Sequence, residues 1–176
     1  MRKIFSANMK HDIQLSYLMW YHISILIMGV INVNEFDRLW NNIGERAVMV
    51  LSTCAENIVT SRSMSVVVYG GKFYCQTNRD YMKCRQIAEN PNVALCFGNY
   101  SIEGRCSIIG KPCEIPEFIA AMEKSYPDAV KRWSDLPEEC VLEITPTLIK
   151  SWIYENSAPY IETWDFSDDT YRKEPQ

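Results

Sequence analysis

Histidine is almost missing from this chain. Of 176 residues only His11 and His22 carry an imidazole, and both lie near the N-terminus. That scarcity removes histidine triads and most imidazole acid–base chemistry from the body of the protein. Zinc also loses its commonest nitrogen ligand. The seven cysteines (Cys54, Cys75, Cys84, Cys96, Cys106, Cys113 and Cys140) include no CxxC pair, so no metal site is expected. Their number is odd and most fall in expected strands, which reads as small buried hydrophobes in a reducing, cytoplasmic setting. No run of basic residues occurs. The net charge is −4 and the pI about 5.3, so there is no global positive field to recruit nucleic acid or an anionic membrane surface. Internal repeats, low-complexity tracts and linkers are absent as well. What remains is an ordinary globular composition, 47% hydrophobic and 23% charged, long enough for one domain with a substantial core.

The first 33 residues stand apart as a hydrophobic extension. Residues 13–34 carry no formal charge and follow Arg2, Lys3 and Lys10. Three readings fit: a membrane anchor, a helix packed on the domain or on a partner, or a start-site artefact with translation beginning at Met28. Gln14, Ser16, His22 and Ser24 interrupt the apolar run, and Met28-Gly29-Val30 leads into an amphipathic helix, so the third reading is preferred over the membrane. The domain proper is taken as residues 34–176.

Within it, the stretch from Thr60 to Phe97 is the most informative. In its first strand Ile58, Thr60, Arg62, Met64, Val66 and Val68 share one face. Arg62 is the only charge in that row. It calls either for an anion or acceptor, or for a place near a barrel rim from which it reaches water. Gly70-Gly71 suits a tight hairpin, because glycine accepts the positive φ such turns need. The second strand runs from Lys72 to Thr77. Asp80 is the expected N-cap of a short helix whose buried stripe is Cys84, Ile87 and Ala88, ended by Asn90-Pro91. A helix N-terminus favours phosphate. Lys83 in its first turn, taken alone, is an ordinary surface lysine; with Arg62 and Thr77 it becomes a phosphate ligand.

Around this segment the pattern predicts an amphipathic helix over 35–43 (Phe36, Leu39, Trp40, Ile43) and strands over 46–53, 92–97 and 101–112. Helices are expected over 115–125 and 128–133. A further strand over 139–154 is interrupted at Thr145-Pro146-Thr147, and a last one over 160–166 precedes a charged tail. Consecutive strands joined by hairpins, with helices at the edges, make the class mainly β with peripheral helices, an antiparallel barrel or sandwich.

From about Glu35 onward the chain resembles the pyridoxamine 5'-phosphate oxidase-like, FMN-binding split β-barrel family. The carrying motifs are Arg62-Ser63-Met64-Ser65, Phe73-Tyr74-Cys75-Gln76-Thr77-Asn78, Lys83, and Gln86-Ile87-Ala88-Glu89-Asn90-Pro91-Asn92-Val93-Ala94-Leu95, with Gly110-Lys111-Pro112 at a strand end. The resemblance implies that Arg62 and Lys83 hold the FMN phosphate, with Thr77 donating a hydroxyl and Gln76 beside it in the cofactor set. Backbone groups of Ser63, Met64 and Ser65 would run along the isoalloxazine. Trp152 would reach the flavin of the other subunit, which implies a homodimer with its site at the interface.

Three departures separate the chain from the vitamin oxidase itself. No basic residue stands at Val67, Arg105 lies at or near the place of a glutamine, and Tyr154 to Tyr160 contains no Arg-x-His. The resemblance therefore implies a flavin-dependent oxidoreductase, reductase- or nitroreductase-like, acting on a small organic substrate with NAD(P)H as a candidate donor. The alternative it leaves open is a flavin or haem carrier without turnover. No catalytic acid or base is nominated.

Overall fold

The computed structural model describes residues 35–176. The readings made for the N-terminal extension lie outside the described residues. The chain divides into two compact units, Met1–Leu39 and Trp40–Gln176. Of the first, residues 35–39 are described; they are helical, with Arg38 paired to Glu35 one turn away. Helical residues 35–43 form α1, which ends at Gly44 with φ +76°, as a helix C-terminus favours. In the second unit Trp40 lies with its ring centroid 5.6 Å from that of Phe73 and 5.8 Å from that of Phe166.

Eight antiparallel strands follow, in the chain order β1 (Arg46–Ala55), β2 (Ile58–Tyr69), β3 (Lys72–Asn78), β4 (Asn92–Phe97), β5 (Tyr100–Gly110), β6 (Glu139–Glu155), β7 (Ala158–Asp165) and β8 (Thr170–Pro175). Helix α2 (Met82–Glu89) links β3 to β4, while α3 (Pro116–Ser125) and α4 (Pro127–Trp133) link β5 to β6. The sheet order is β3-β2-β1-β4-β5-β6-β7-β8, and an additional β3–β6 pairing closes the first six strands into a barrel. The split β-barrel expected from the sequence is the fold observed.

Alternation explains most of the core. Ala47, Met49, Leu51 and Thr53 of β1 point inward and are buried, with the intervening residues turned outward. Where α3 and α4 cover the outer surface, alternation gives way to continuous burial. Val66 and Val67, Phe73 to Cys75, and Cys140 to Leu142 are buried on both faces. Phe118 and Met122 of α3 seal that outer layer against Val67, Tyr74 and Val141. Burying each such side chain contributes about 1.5–3 kcal/mol.

The expected interruption of β6 is absent: it runs unbroken for 17 residues and instead changes partner. Its first half, Glu139 to Ile144, pairs with β3, and its second half, Leu148 to Glu155, pairs with β7. Pro146, without an N–H, lies at the switch. The β5 register also shifts there, between Glu103 opposite Leu148 and Gly104 opposite Pro146. The segment read as a charged tail pairs with β7 as β8, an edge strand whose charged residues Arg172, Lys173 and Glu174 stay exposed. Exposed Cys96 and Cys113 depart from the buried-cysteine reading. Cys96 lies on the outward face of β4, and Cys113 lies in the turn Pro112–Glu114 after β5.

At the bulge, a Cβ added to Gly104 would lie 2.6 Å from the Thr145 carbonyl oxygen, a backbone atom that cannot swing aside. Gly104→Ala is therefore expected to destabilise the fold by about 1–3 kcal/mol. Urea unfolding checks this, and a change near zero would mean that the bulge is plastic.

Candidate functional site

The start of α2 is built differently from the sequence reading. Asp80 does not cap it. The Asn78 side-chain carbonyl accepts the Asp80 N–H at 2.8 Å, the Asn78 main-chain carbonyl accepts the Tyr81 N–H, and the helix begins after Tyr81 without a side-chain cap. An Asx turn at the end of β3 takes over the role expected of Asp80. The buried stripe differs as well: Ala88 is exposed, and Lys83, Cys84, Gln86 and Ile87 face inward. Two of those four are polar, which is costly unless each meets a partner.

Lys83 is 8% exposed, and its ammonium donates to Thr77 Oγ1 at 2.7 Å. The Tyr81 ring lies over it, 4.6 Å from Nζ to centroid. Among the described residues it makes no ion pair with a carboxylate. Burial is the main reason that Lys83 holds its proton less tightly than a free lysine; the nearby Cys84 opposes this, and the Arg62 charge adds to it. Cys84 and Cys140 lie side by side beneath. The interaction with the Cys140 side chain draws the Cys84 pKa down to about 7, against the effect of burial and with help from Lys83 and Arg79.

Gln86, the other buried polar residue, organises Arg62. Its Oε1 accepts from Thr53 Oγ1 at 2.6 Å and from Thr60 Oγ1 at 2.7 Å, while its Nε2 donates to the Ile58 carbonyl. The Arg62 guanidinium donates to the Leu51 carbonyl, to Thr53 Oγ1 at 2.8 Å and to Thr60 Oγ1. Arg62 is thus held by neutral acceptors, and among the described residues no carboxylate offsets its charge. Of the readings left open for it, the acceptor is found, in Leu51, Thr53 and Thr60, and the half-buried guanidinium adds positive charge near Lys83.

A cleft of about 310 Å³ opens over this cluster, lined by Ser63, Met64, Ser65, Gln76, Thr77, Asn78, Tyr81, Met122, Ala129, Trp133 and Glu139. Five of the eight residues singled out from the sequence share its lining: Ser63, Met64, Ser65, Gln76 and Thr77. Lys83 joins them through Thr77. Arg62 stays behind the lining. Trp152 stands elsewhere in the single chain, 54% exposed on the second half of β6, with its ring stacked near Tyr154. Sequence reasoning passed over Glu139, Tyr81 and the walls supplied by α3 and α4. Glu139 is 6% exposed and starts β6 opposite Asn78. Burial raises its carboxyl pKa, and Lys83 opposes that rise. An acid at the start of a predicted strand gives no sequence signal of its own; only the β3–β6 register brings it in.

Comparison with known proteins now fits this geometry. The family model described as pyridoxamine 5'-phosphate oxidase matches residues 36–153. The chain belongs to that family. The match spans both strands of the cleft, α2, and the first half of β6 that closes the barrel.

Among solved structures, the family's barrel recurs in a pyridoxamine 5'-phosphate oxidase-related, FMN-binding protein of Nostoc punctiforme, at TM-score 0.53 and 15% identity, over 73% of this chain and 85% of that one. It recurs in PhzG of Burkholderia lata, at 0.54 and 9%, over 85% and 92%, and in the haem storage protein HutZ of Vibrio cholerae, at 0.52 and 15%, over 58% and 82%. At these identities the likeness concerns the fold alone. No curated protein matches the chain. Among the described residues, no helix is long and apolar enough to cross a membrane.

A buried ammonium with no carboxylate partner among the described residues costs the ligand-free protein stability. Lys83→Met is expected to stabilise it by about 1 kcal/mol at pH 7. Because the native pKa of Lys83 is lowered, wild type carries the penalty while the lysine is charged and loses it as pH rises through the native value toward that of the unfolded chain. The gain of the variant should therefore shrink toward pH 10. Paired urea titrations at the two pH values read this, and a destabilised variant at pH 7 would show instead that the Thr77 hydrogen bond dominates.

Proposed function

We propose that the chain binds FMN in this cleft as a homodimer and performs flavin redox chemistry on a small organic substrate in the cytoplasm. The observation that carries the reading is Lys83, a buried cation with no carboxylate partner among the described residues, which donates to Thr77 in the lining of a cleft shared with Ser63, Met64 and Ser65 of β2. A phosphate monoester would supply the missing anion, meeting Lys83 and Thr77 with the Arg62 charge close behind. The residues present therefore fit the FMN phosphate. When bound, FMN supplies the electron or hydride transfer. Ser63, Met64 and Ser65 offer polar groups and a flat strand surface along one wall, while Met122, Ala129 and Trp133 exclude water from the other.

Two features support a dimer. The outer surface beside Ser63 and Ser65 carries Val48 at 62% and Val50 at 40% exposure, and continues through Ser52, Ser61, Ala94 and Cys96 without a charged side chain. Depletion of charge over an apolar patch next to a cleft is the pattern of an interface core. Exposed Trp152 is then available to the flavin of the partner. The seven cysteines are unpaired, which suits a reducing compartment. The second reading is a flavin carrier or sensor without turnover. It is favoured by the shortage of proton-transfer groups in the cleft, whose lining among the described residues holds one carboxylate, one phenol and no imidazole.

The visible absorption spectrum of the purified protein, followed by identification of what heat releases, tests the reading directly. A flavin spectrum with FMN released is expected, and screening with NAD(P)H and nitroaromatic acceptors then separates enzyme from carrier. A colourless protein that ignores added FMN overturns the proposal, and a Soret band redirects it to haem. Lys83→Ala should weaken FMN about 10- to 100-fold, the worth of one charge-assisted phosphate contact, while leaving riboflavin affinity unchanged. Equal losses for both ligands would place the phosphate elsewhere.

A further inference from the structure

We infer that Glu139 is a counter-charge built into the phosphate cleft, and that an anionic ligand enters together with a proton taken up by this carboxyl. The inference rests on the phosphate reading above and concerns what sets the cleft's affinity and charge preference.

Position comes first. Glu139 pairs with Asn78 in the β3–β6 ladder, one step from the Thr77–Cys140 pair, and lines the same cleft as Thr77. Thr77 is the residue that receives the Lys83 ammonium. Glu139 makes no ion pair among the described residues, so its carboxylate is near a cation without being bound to it. The charged and titratable groups around it are Lys83 and Cys84 from α2, Arg79 and Tyr81 from the preceding turn, and Cys140 beside it on β6. The facing residues of α3 and α4 (Met122, Ala129 and Trp133) bring no charge.

Charge balance then decides the outcome. Without ligand, the buried Lys83 and the half-buried Arg62 behind it are set against one carboxylate, while Arg79 is exposed to water. A dianionic phosphate monoester would leave the buried cluster with an excess negative charge, which is costly where water is scarce. The phosphate would also neutralise Lys83, the cation that holds the Glu139 carboxyl down against burial. The carboxyl then gains a proton and becomes an O–H donor to a phosphate oxygen, where the carboxylate could only repel it.

The test is titration calorimetry with FMN at pH 8 in two buffers of different ionisation heat, on wild type and on Glu139→Gln. Wild type is expected to take up protons on binding. The variant should take up none and bind about tenfold more tightly at pH 8, as for removal of one nearby like charge, with the gap closing toward pH 5.5. Riboflavin, which lacks the phosphate, should not distinguish the two proteins. Independently of any variant, wild-type affinity for FMN should fall between pH 7 and pH 8.5, beyond the phosphate's own titration. FMN binding with the same proton count and affinity in both proteins overturns the inference alone. A failure of both proteins to bind FMN overturns it together with the phosphate reading.

Discussion

A lysine ammonium buried beside a threonine hydroxyl, with no carboxylate in ion-pair contact among the described residues, is the constraint around which the rest of the site is arranged. Lys83 can be there only because α2 turns its polar residues inward, and α2 can do so because Thr77 receives Lys83 while Thr53, Thr60 and the Ile58 carbonyl satisfy Gln86. The Asx turn at Asn78 fixes where the helix begins, and so fixes the rotation that aims Lys83 at β3. Such a cluster is a poor way to stabilise a small barrel, since neutral side chains of similar volume would pack there at lower electrostatic cost. Its retention makes physical sense if an anion completes it.

Arg62 illustrates how the same economy extends to the neighbouring strands. Its guanidinium ties β1 to β2 through a backbone carbonyl and two hydroxyls, and Gln86 ties those hydroxyls to the helix. The second positive charge is therefore immobile. A fixed pair of cations costs little reorganisation when a ligand arrives, which is the basis of preorganised electrostatic binding.

Much of this was legible in the sequence, for identifiable reasons. Alternation along β1 and β2, the Gly70-Gly71 hairpin and the 3.6-residue period of α1 are local signals, and the fold class followed from them. The motif around Arg62, Thr77 and Lys83 was readable because its residue types are unusual at those periodic positions. Three things were not readable. The inward turn of Lys83 and Gln86 defeats a hydrophobicity count, which selected Ala88 in their place. The unbroken course of β6 past Pro146 depends on a change of strand partner, which no local window contains. Glu139 enters the cleft through pairing with a segment far back in the chain, so its role waits on topology.

That long-range pairing has a kinetic side. Thr77 and Cys140 face each other across the seam that closes the barrel, although 63 residues separate them along the chain. Contacts of such separation carry a large loop-closure entropy and form late, after hairpins such as β1–β2 and β4–β5. Thr77 and Glu139 are on opposite sides of this seam, so the cleft has no precursor in a partly folded chain. On this ordering the proposed anion site would be complete only once the seam closes, and a ligand that requires it would bind finished barrels alone. Such a ligand would pull the final closure forward by mass action, acting as a folding aid as well as a cofactor.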